Sequence, residues 1–113
     1  MTDRLPAKLE AAALIRSVQV NGGFASVLHK GDPDRGAISL LIAERGQPRA
    51  MLERRMAADF SYRWSEEPSP GGDDAAGWLA WVQHKSRIDP DCWVIELDVA
   101  DAQRFIAETT GSA

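Results

Sequence analysis

A single cysteine, Cys92, leaves this chain no way to close an internal disulfide, so the fold rests on packing and fits a reducing, cytoplasmic compartment. Long apolar runs are missing too. The opening stretch MTDRLPAKLEAAALIRS carries charges throughout, so neither a signal peptide nor a membrane span is expected. Positive charge is in deficit: the formal net charge is -4 and the isoelectric point about 5.1. That balance argues against a partner held by bulk electrostatics, such as duplex DNA or an anionic membrane. Histidine is scarce as well. The two residues, His29 and His84, stand far apart in sequence and with Cys92 match no zinc-ligand spacing. No Walker, Rossmann or nucleophile-elbow motif occurs, and neither a cofactor nor a metal is expected.

What is present describes an ordinary globular chain. Its 113 residues are 44% hydrophobic and 27% charged, enough for one domain over residues 1–113. A chain of this size buries roughly two-thirds of its unfolded surface and needs no metal or disulfide to fold. Ala7, Ala11, Leu14, Ile15 and Val18 recur at helical spacing, with Arg4, Lys8, Glu10 and Arg16 mostly outside the stripe. Asn21-Gly22-Gly23 then ends that helix, because these residues tolerate left-handed backbone angles.

The next segments read as strands. FASVLHK (24–30) and AISLLIA (37–43) are β-rich and flank GDPDRG, which predicts a hairpin: Pro33 supplies the fixed φ of a type I turn after Asp32, and Gly36 the exit. Arg45-Gly46-Gln47-Pro48 turns into RAMLERR, and Ala57-Ala58-Asp59 into FSYRWSE. A four-stranded antiparallel meander is the economical arrangement. EPSPGG (67–72) makes a surface loop before DDAAGWLAWVQHKSR. There Ala75, Trp78, Leu79 and Val82 share a helical face, with Asp73 and Asp74 at the positive end and Lys85 and Arg87 at the negative end. WVIELDV adds a strand, and Asp101 caps a short final helix through Phe105 and Ile106. The predicted fold is α+β, an antiparallel sheet of about five strands with the helices mainly on one face. HK precedes DPD twice, but nothing else repeats.

HKGDPDRGAISLLI (29–42), Tyr62-Arg63-Trp64 and HKSRIDPDCWVIELD (84–98), in that order, resemble the small, mainly alphaproteobacterial family known as domain of unknown function 1491. The resemblance spans nearly the whole chain. It implies a bacterial protein and an uncharacterised activity, and it assigns no catalytic residue. Cys92 stands where leucine is associated with the family pattern, so the resemblance implies no shared cysteine chemistry.

Four carboxylates crowd the closing segment: Asp89, Asp91, Glu96 and Asp98. Alternation along the strand puts Glu96 and Asp98 on one face, opposite Trp93, Ile95, Leu97 and Val99. Side by side, two carboxylates hold divalent cations, and Pro90-Asp91 followed by Glu96-Leu97-Asp98 echoes a nuclease pattern. Asp98, however, occupies the place where that pattern has lysine. The plainer reading makes Asp89 and Asp91 turn formers around a proline and pairs Glu96 and Asp98 with arginines. Asp32-Pro33-Asp34-Arg35-Gly36 starts like a calcium loop but lacks the third acid, and Ala43 stands where the bidentate glutamate belongs. Cys92 with His29 or His84 has the residue types of a nucleophile and base, without a glycine-rich oxyanion loop.

Phe60, Tyr62 and Trp64 alternate along one strand near Arg49, Arg54 and Arg55, as base-stacking sheets do. Core packing explains them more simply, and a nucleic-acid partner is not expected. Trp81 falls off its helical stripe, toward His84 and Lys85, and with Arg54 on a sheet edge it marks a candidate interface. The expected function is a small binding or protein-interaction module forming a homodimer or taking an unknown protein or small-molecule partner. The alternative is a metal-dependent hydrolase or nuclease using Asp89, Asp91, Glu96 and Asp98, which requires those carboxylates to converge in a cleft.

Overall fold

The computed structural model describes residues 5–68 and 75–111. Along the chain these form α1 (Ala7–Val20), β1 (Phe24–His29), β2 (Ile38–Glu44), β3 (Gln47–Met56), β4 (Tyr62–Glu67), α2 (Ala75–Ile88), β5 (Trp93–Asp98) and α3 (Ala102–Thr110). The α+β class and the five-stranded sheet are as expected, but the strand order is β1-β5-β2-β3-β4. The sheet is mixed: β5 runs parallel to β2, and the other neighbouring pairs are antiparallel.

The predicted hairpin between residues 24–30 and 37–43 does not form. β5 lies between the two segments, pairing Ala25 with Leu97 on one side and Leu40 with Ile95 on the other. Burial explains the insertion. From Ile38 to Ala43 every residue of β2 is buried, and β5 is nearly as enclosed, whereas most of β1 is exposed. Two strands that are apolar on both faces remove most surface from water when they lie side by side at the sheet centre. The half-polar β1 is left as an edge. Of the expected meander, only β2-β3-β4 survives.

GDPDRG still turns the chain, but around the start of β5. The Asp32 carboxylate accepts from Asp34 N at 2.9 Å and Arg35 N at 2.7 Å, an Asx-type turn. Asp32 N donates to the Asp91 carbonyl at 2.9 Å, and the Trp93 indole donates to the Asp32 carbonyl at 2.7 Å. The two DPD words of the sequence therefore meet. A side chain at Gly31 or Gly36 would collide with the Asp91 carbonyl. The same loop caps α1, since Lys8 N donates to the Pro33 carbonyl at 2.8 Å and Ala7 N to that of Asp34 at 3.2 Å. These are orphan donors of a first helical turn, and the cap Pro6 has no side chain to serve them.

Strand alternation divides the core in two. Ile38, Leu40, Ile42, Leu52, Trp93, Ile95 and Leu97 face α1 and α3, packing on Ala7, Ala11, Val18 and Ala102. Leu41, Met51, Cys92 and Val94 face α2 through Trp78 and Val82. Two of the three helices thus share one face and α2 covers the other. Asp101 caps α3 as expected, accepting from Arg104 N at 3.1 Å, and Gly111 closes it at φ 74°. Lys85 and Arg87 occupy the last turn of α2. Asp73, Asp74 and residues 69–72 of the EPSPGG loop lie outside the described residues.

The aromatic series 60-62-64 is broken. Tyr62 and Trp64 belong to β4, but Phe60 sits in the preceding turn at φ 66°. Trp64 packs against the α1/α3 side of the core. Asp59 organises that turn, accepting from Ser61 N at 3.0 Å and Ser61 Oγ at 2.6 Å.

Candidate functional site

The acidic residues of the closing segment are spread along β5 and its approach. Asp89 Oδ1 accepts from Asp91 N at 3.2 Å, and the Asp89 carbonyl accepts from Cys92 N at 3.1 Å, forming the turn that leads out of α2. At the other end, the Asp98 carboxylate receives Arg45 N at 3.1 Å and Gly46 N at 2.8 Å. Those amides belong to a two-residue β2–β3 turn in which both residues have positive φ, the geometry of a type I′ turn. Glu96 lies between, half-buried beside Ser26 of β1. Burial pushes its carboxyl up, and the Asp98 charge adds to the shift. Asp89 and Asp91 thus stand at the start of the strand while Glu96 and Asp98 occupy its later half. Among the described residues, no group of three or more His, Cys, Asp or Glu side chains is placed to hold a metal ion.

A polar notch, one that sequence inspection passed over, opens where β2 and β5 begin and α2 ends. Its cavity, about 210 Å³, is lined by Ser39, Glu53, Tyr62, Lys85, Asp89 and Cys92 among others. Ser39 Oγ donates to Glu53 Oε1 at 2.9 Å, and the Lys85 ammonium pairs with the same oxygen. Burial pushes Glu53 up, but the Lys85 hydrogen bond and charge, helped by Ser39 and Glu67, outweigh it and hold the carboxyl below its ordinary value. The available signal was Ser39 itself, a hydroxyl inside the apolar run ISLLIA.

Cys92 lines this notch with its sulfur 3.7 Å from Ser39 Oγ. Its thiol is buried, which pushes its pKa up, and it donates to the Trp93 carbonyl at 3.3 Å. The His29 ring does reach Cys92, but Nδ1 meets the backbone carbonyl at 2.7 Å rather than the sulfur. A carbonyl only accepts, so this contact places the imidazole proton on Nδ1. Thiolate chemistry needs the opposite environment, one that lowers the thiol pKa.

Trp81 is half-buried against the α2-side core, with the Lys85 ammonium 5.3 Å from its ring centroid. Arg54 pairs with Glu10 of α1 and stacks 4.5 Å above Trp64, so its guanidinium joins helix to sheet. The sheet's two edges differ sharply. β4, YRWSEE, carries Arg63, Glu66 and Glu67. β1, FASVLH, has no Asp, Glu, Lys, Arg or Pro, and exposes Phe24 at 75%, Val27 at 43% and Leu28 at 41%. Charge and proline are the usual guards against strand addition at an edge. β1 lacks both, and a bulge between Val27 and His29 limits its regular ladder.

A mixed five-stranded sheet covered by helices on both faces, with an edge strand that carries no formal charge and with dispersed carboxylates, defines a small α+β domain. The family model for the protein of unknown function DUF1491 matches residues 5–107, and the chain belongs to that family. The crystal structure of a DUF1491 family protein from Caulobacter crescentus CB15 is similar at 29% identity and TM-score 0.76, covering 90% of this chain and 94% of that one. An NMR structure of a DUF1491 family protein from the same organism gives 29% identity and TM-score 0.75, with coverages of 92% and 94%. The solution structure of a protein from A. tumefaciens follows at 26% identity and TM-score 0.69, with coverages of 88% and 89%. No curated protein matches the sequence. Among the described residues, no helix is long and apolar enough to cross a membrane.

Proposed function

We propose that this protein is a small interaction module whose working surface is the free edge of β1, where a partner adds an extended strand. The observation that carries the reading is the contrast between edges: β4 is charged, whereas β1 has no Asp, Glu, Lys or Arg and exposes Phe24, Val27 and Leu28. Strand addition draws affinity from main-chain hydrogen bonds and selectivity from alternate side chains. The uncharged sequence of β1 suits both, because among the described residues no further strand lies on its outer side and apolar surface stands beside it. Trp81 on α2 and Arg54 on β3 stand away from that edge, since β5 and β2 separate β3 from β1. A cytoplasmic setting accompanies the reading, supported by one cysteine held as a buried thiol. The hydrolase or nuclease reading lacks comparable support, since it needs Asp89, Asp91, Glu96 and Asp98 in one cleft.

The test is an NMR titration of the full chain with the synthetic peptide GFASVLHK, alongside the same peptide carrying proline in place of its serine. Saturable shifts of the Phe24–Val27 amides with the first peptide only are expected. Shifts centred elsewhere, or none at millimolar peptide, would overturn the edge reading.

A further inference from the structure

We propose that the notch where β2 and β5 begin and α2 ends is a binding site for a small uncharged carboxamide, a primary amide head group on a short apolar stem. Its lining includes no residue of β1, so the site stands apart from the edge strand. β2 is buried from Ile38 to Ala43, and a hydroxyl in that run costs desolvation that an aliphatic side chain avoids. Ser39 is only 2% exposed, and it bonds to one member of an ion pair, Glu53 with Lys85, whose side chains are 20% and 23% exposed. Apolar packing serves stability as well as such a pair does. Here the three polar groups instead converge with Cys92 on a cavity of about 210 Å³ whose rim includes the exposed Ala37 and Asp89. Concavity together with converging, perturbed polar groups is the mark of a ligand site.

The placement of hydrogens defines the ligand. Ser39 Oγ donates to Glu53 Oε1 at 2.9 Å, and the Cys92 thiol donates to the Trp93 carbonyl at 3.3 Å. With their only hydrogens so placed, Ser39 and Cys92 offer lone pairs to anything that enters. Glu53 and Asp89 add carboxylate acceptors. Lys85 is the donor, an ammonium with three hydrogens that pairs with Glu53 Oε1. A ligand therefore has to bring N–H donors and an acceptor together. Charge excludes ions of either sign. An anion meets Asp89 and Glu53, which the Lys85 bond and charge keep ionised against the push of burial. A cation meets the Lys85 ammonium, and like-charge contact penalises both. Arg54, the other cation at the rim, is taken up by Glu10. A primary amide carries two N–H donors and one carbonyl acceptor without net charge. The cavity holds a group of that size but not a drug-sized ligand, whose sites start near ~300 Å³.

An amide-resolved NMR titration of the full chain with butyramide, butyrate and n-butylammonium, at constant ionic strength and neutral pH, tests the proposal. Butyramide is expected to give saturable millimolar shifts centred on the Ser39, Glu53 and Cys92 amides, with both charged ligands binding about tenfold more weakly. Ser39→Ala is expected to lose these shifts. Ala37→Leu fills the mouth from an exposed position, so it keeps the native spectrum and binds butyramide about tenfold more weakly, which separates a blocked site from a misfolded chain. Shifts that do not saturate or that centre elsewhere refute the assignment. Equal binding of the three ligands, or undiminished binding by Ala37→Leu, refutes it as well.

Discussion

The indole N–H of Trp93 donates to the carbonyl of Asp32 across 61 positions of sequence, at 2.7 Å. This bond clamps the Asp32-Pro33-Asp34 loop to the start of β5, and the same loop supplies carbonyl acceptors to the first turn of α1. One side chain thereby coordinates strand, loop and helix. Trp93→Phe keeps an aromatic ring in the core but deletes the donor, leaving the half-buried carbonyl only its longer bond from Gly36 N at 3.3 Å. A loss of about 0.5–1.5 kcal/mol is expected, measured as a lower urea midpoint with an unchanged slope.

Gly36 is dictated by the approach of the Asp91 carbonyl and the Trp93 ring rather than by its own backbone angles. Gly36→Ala has to push backbone aside, and a destabilisation of about 1–3 kcal/mol follows, in the range of overpacked sites. Gly46→Ala is the informative comparison. Its neighbourhood is open, and only its φ of 78° resists a side chain, so its cost arises from backbone conformation. Thermal melts of the two variants check both expectations.

Lys85 neutralises a Glu53 carboxylate that burial would otherwise penalise. Lys85→Met strands that charge against α2 and the sheet, with an expected cost of about 1–3 kcal/mol. The double variant Lys85→Met/Glu53→Gln recovers part of it. In the native chain Glu53 has a lowered folded pKa, so its contribution is present above the ordinary value of 4.5 and is lost as pH falls through the folded pKa. Denaturation from pH 3 to 7 should show this acid loss in the native chain and not in the double variant.

Glu96 behaves in the opposite sense. Its folded pKa is raised by burial and by Asp98, so the unfolded state ionises first and stability falls as pH climbs from 4.5 through the folded value. Glu96→Gln removes that penalty. The variant is expected to melt higher than the native chain at pH 7, with the gap closing below pH 4.5, where the carboxyl is protonated in both states. An equal gap at all pH values would show that packing, not ionisation, governs the site.

Local sequence determined a good deal. The stripe Ala7-Ala11-Leu14-Ile15-Val18, the Lys85 and Arg87 charges closing α2, the Asp101 cap and the alternation Trp93-Ile95-Leu97 each act within one element, so periodicity and end chemistry made them legible. The candidate site was less legible. The crowding of Asp89, Asp91, Glu96 and Asp98 is a property of the linear chain, whereas an extended strand carries such residues apart along its length.

Pairing partners were decided only in three dimensions. GDPDRG has the residues of a hairpin turn, yet neighbours in sequence lost to burial: β2 and β5 are the strands most fully enclosed, and placing them together at the centre displaced β1 to the edge. The same choice created the mixed sheet, brought Asp32 against Asp91 and assembled Ser39, Glu53, Lys85 and Cys92 around one notch. Turn propensity is local and worth little beside the apolar area that two central strands remove from water. Sequence therefore specified the elements and their faces, and the competition for the sheet interior specified their order and left β1 bare.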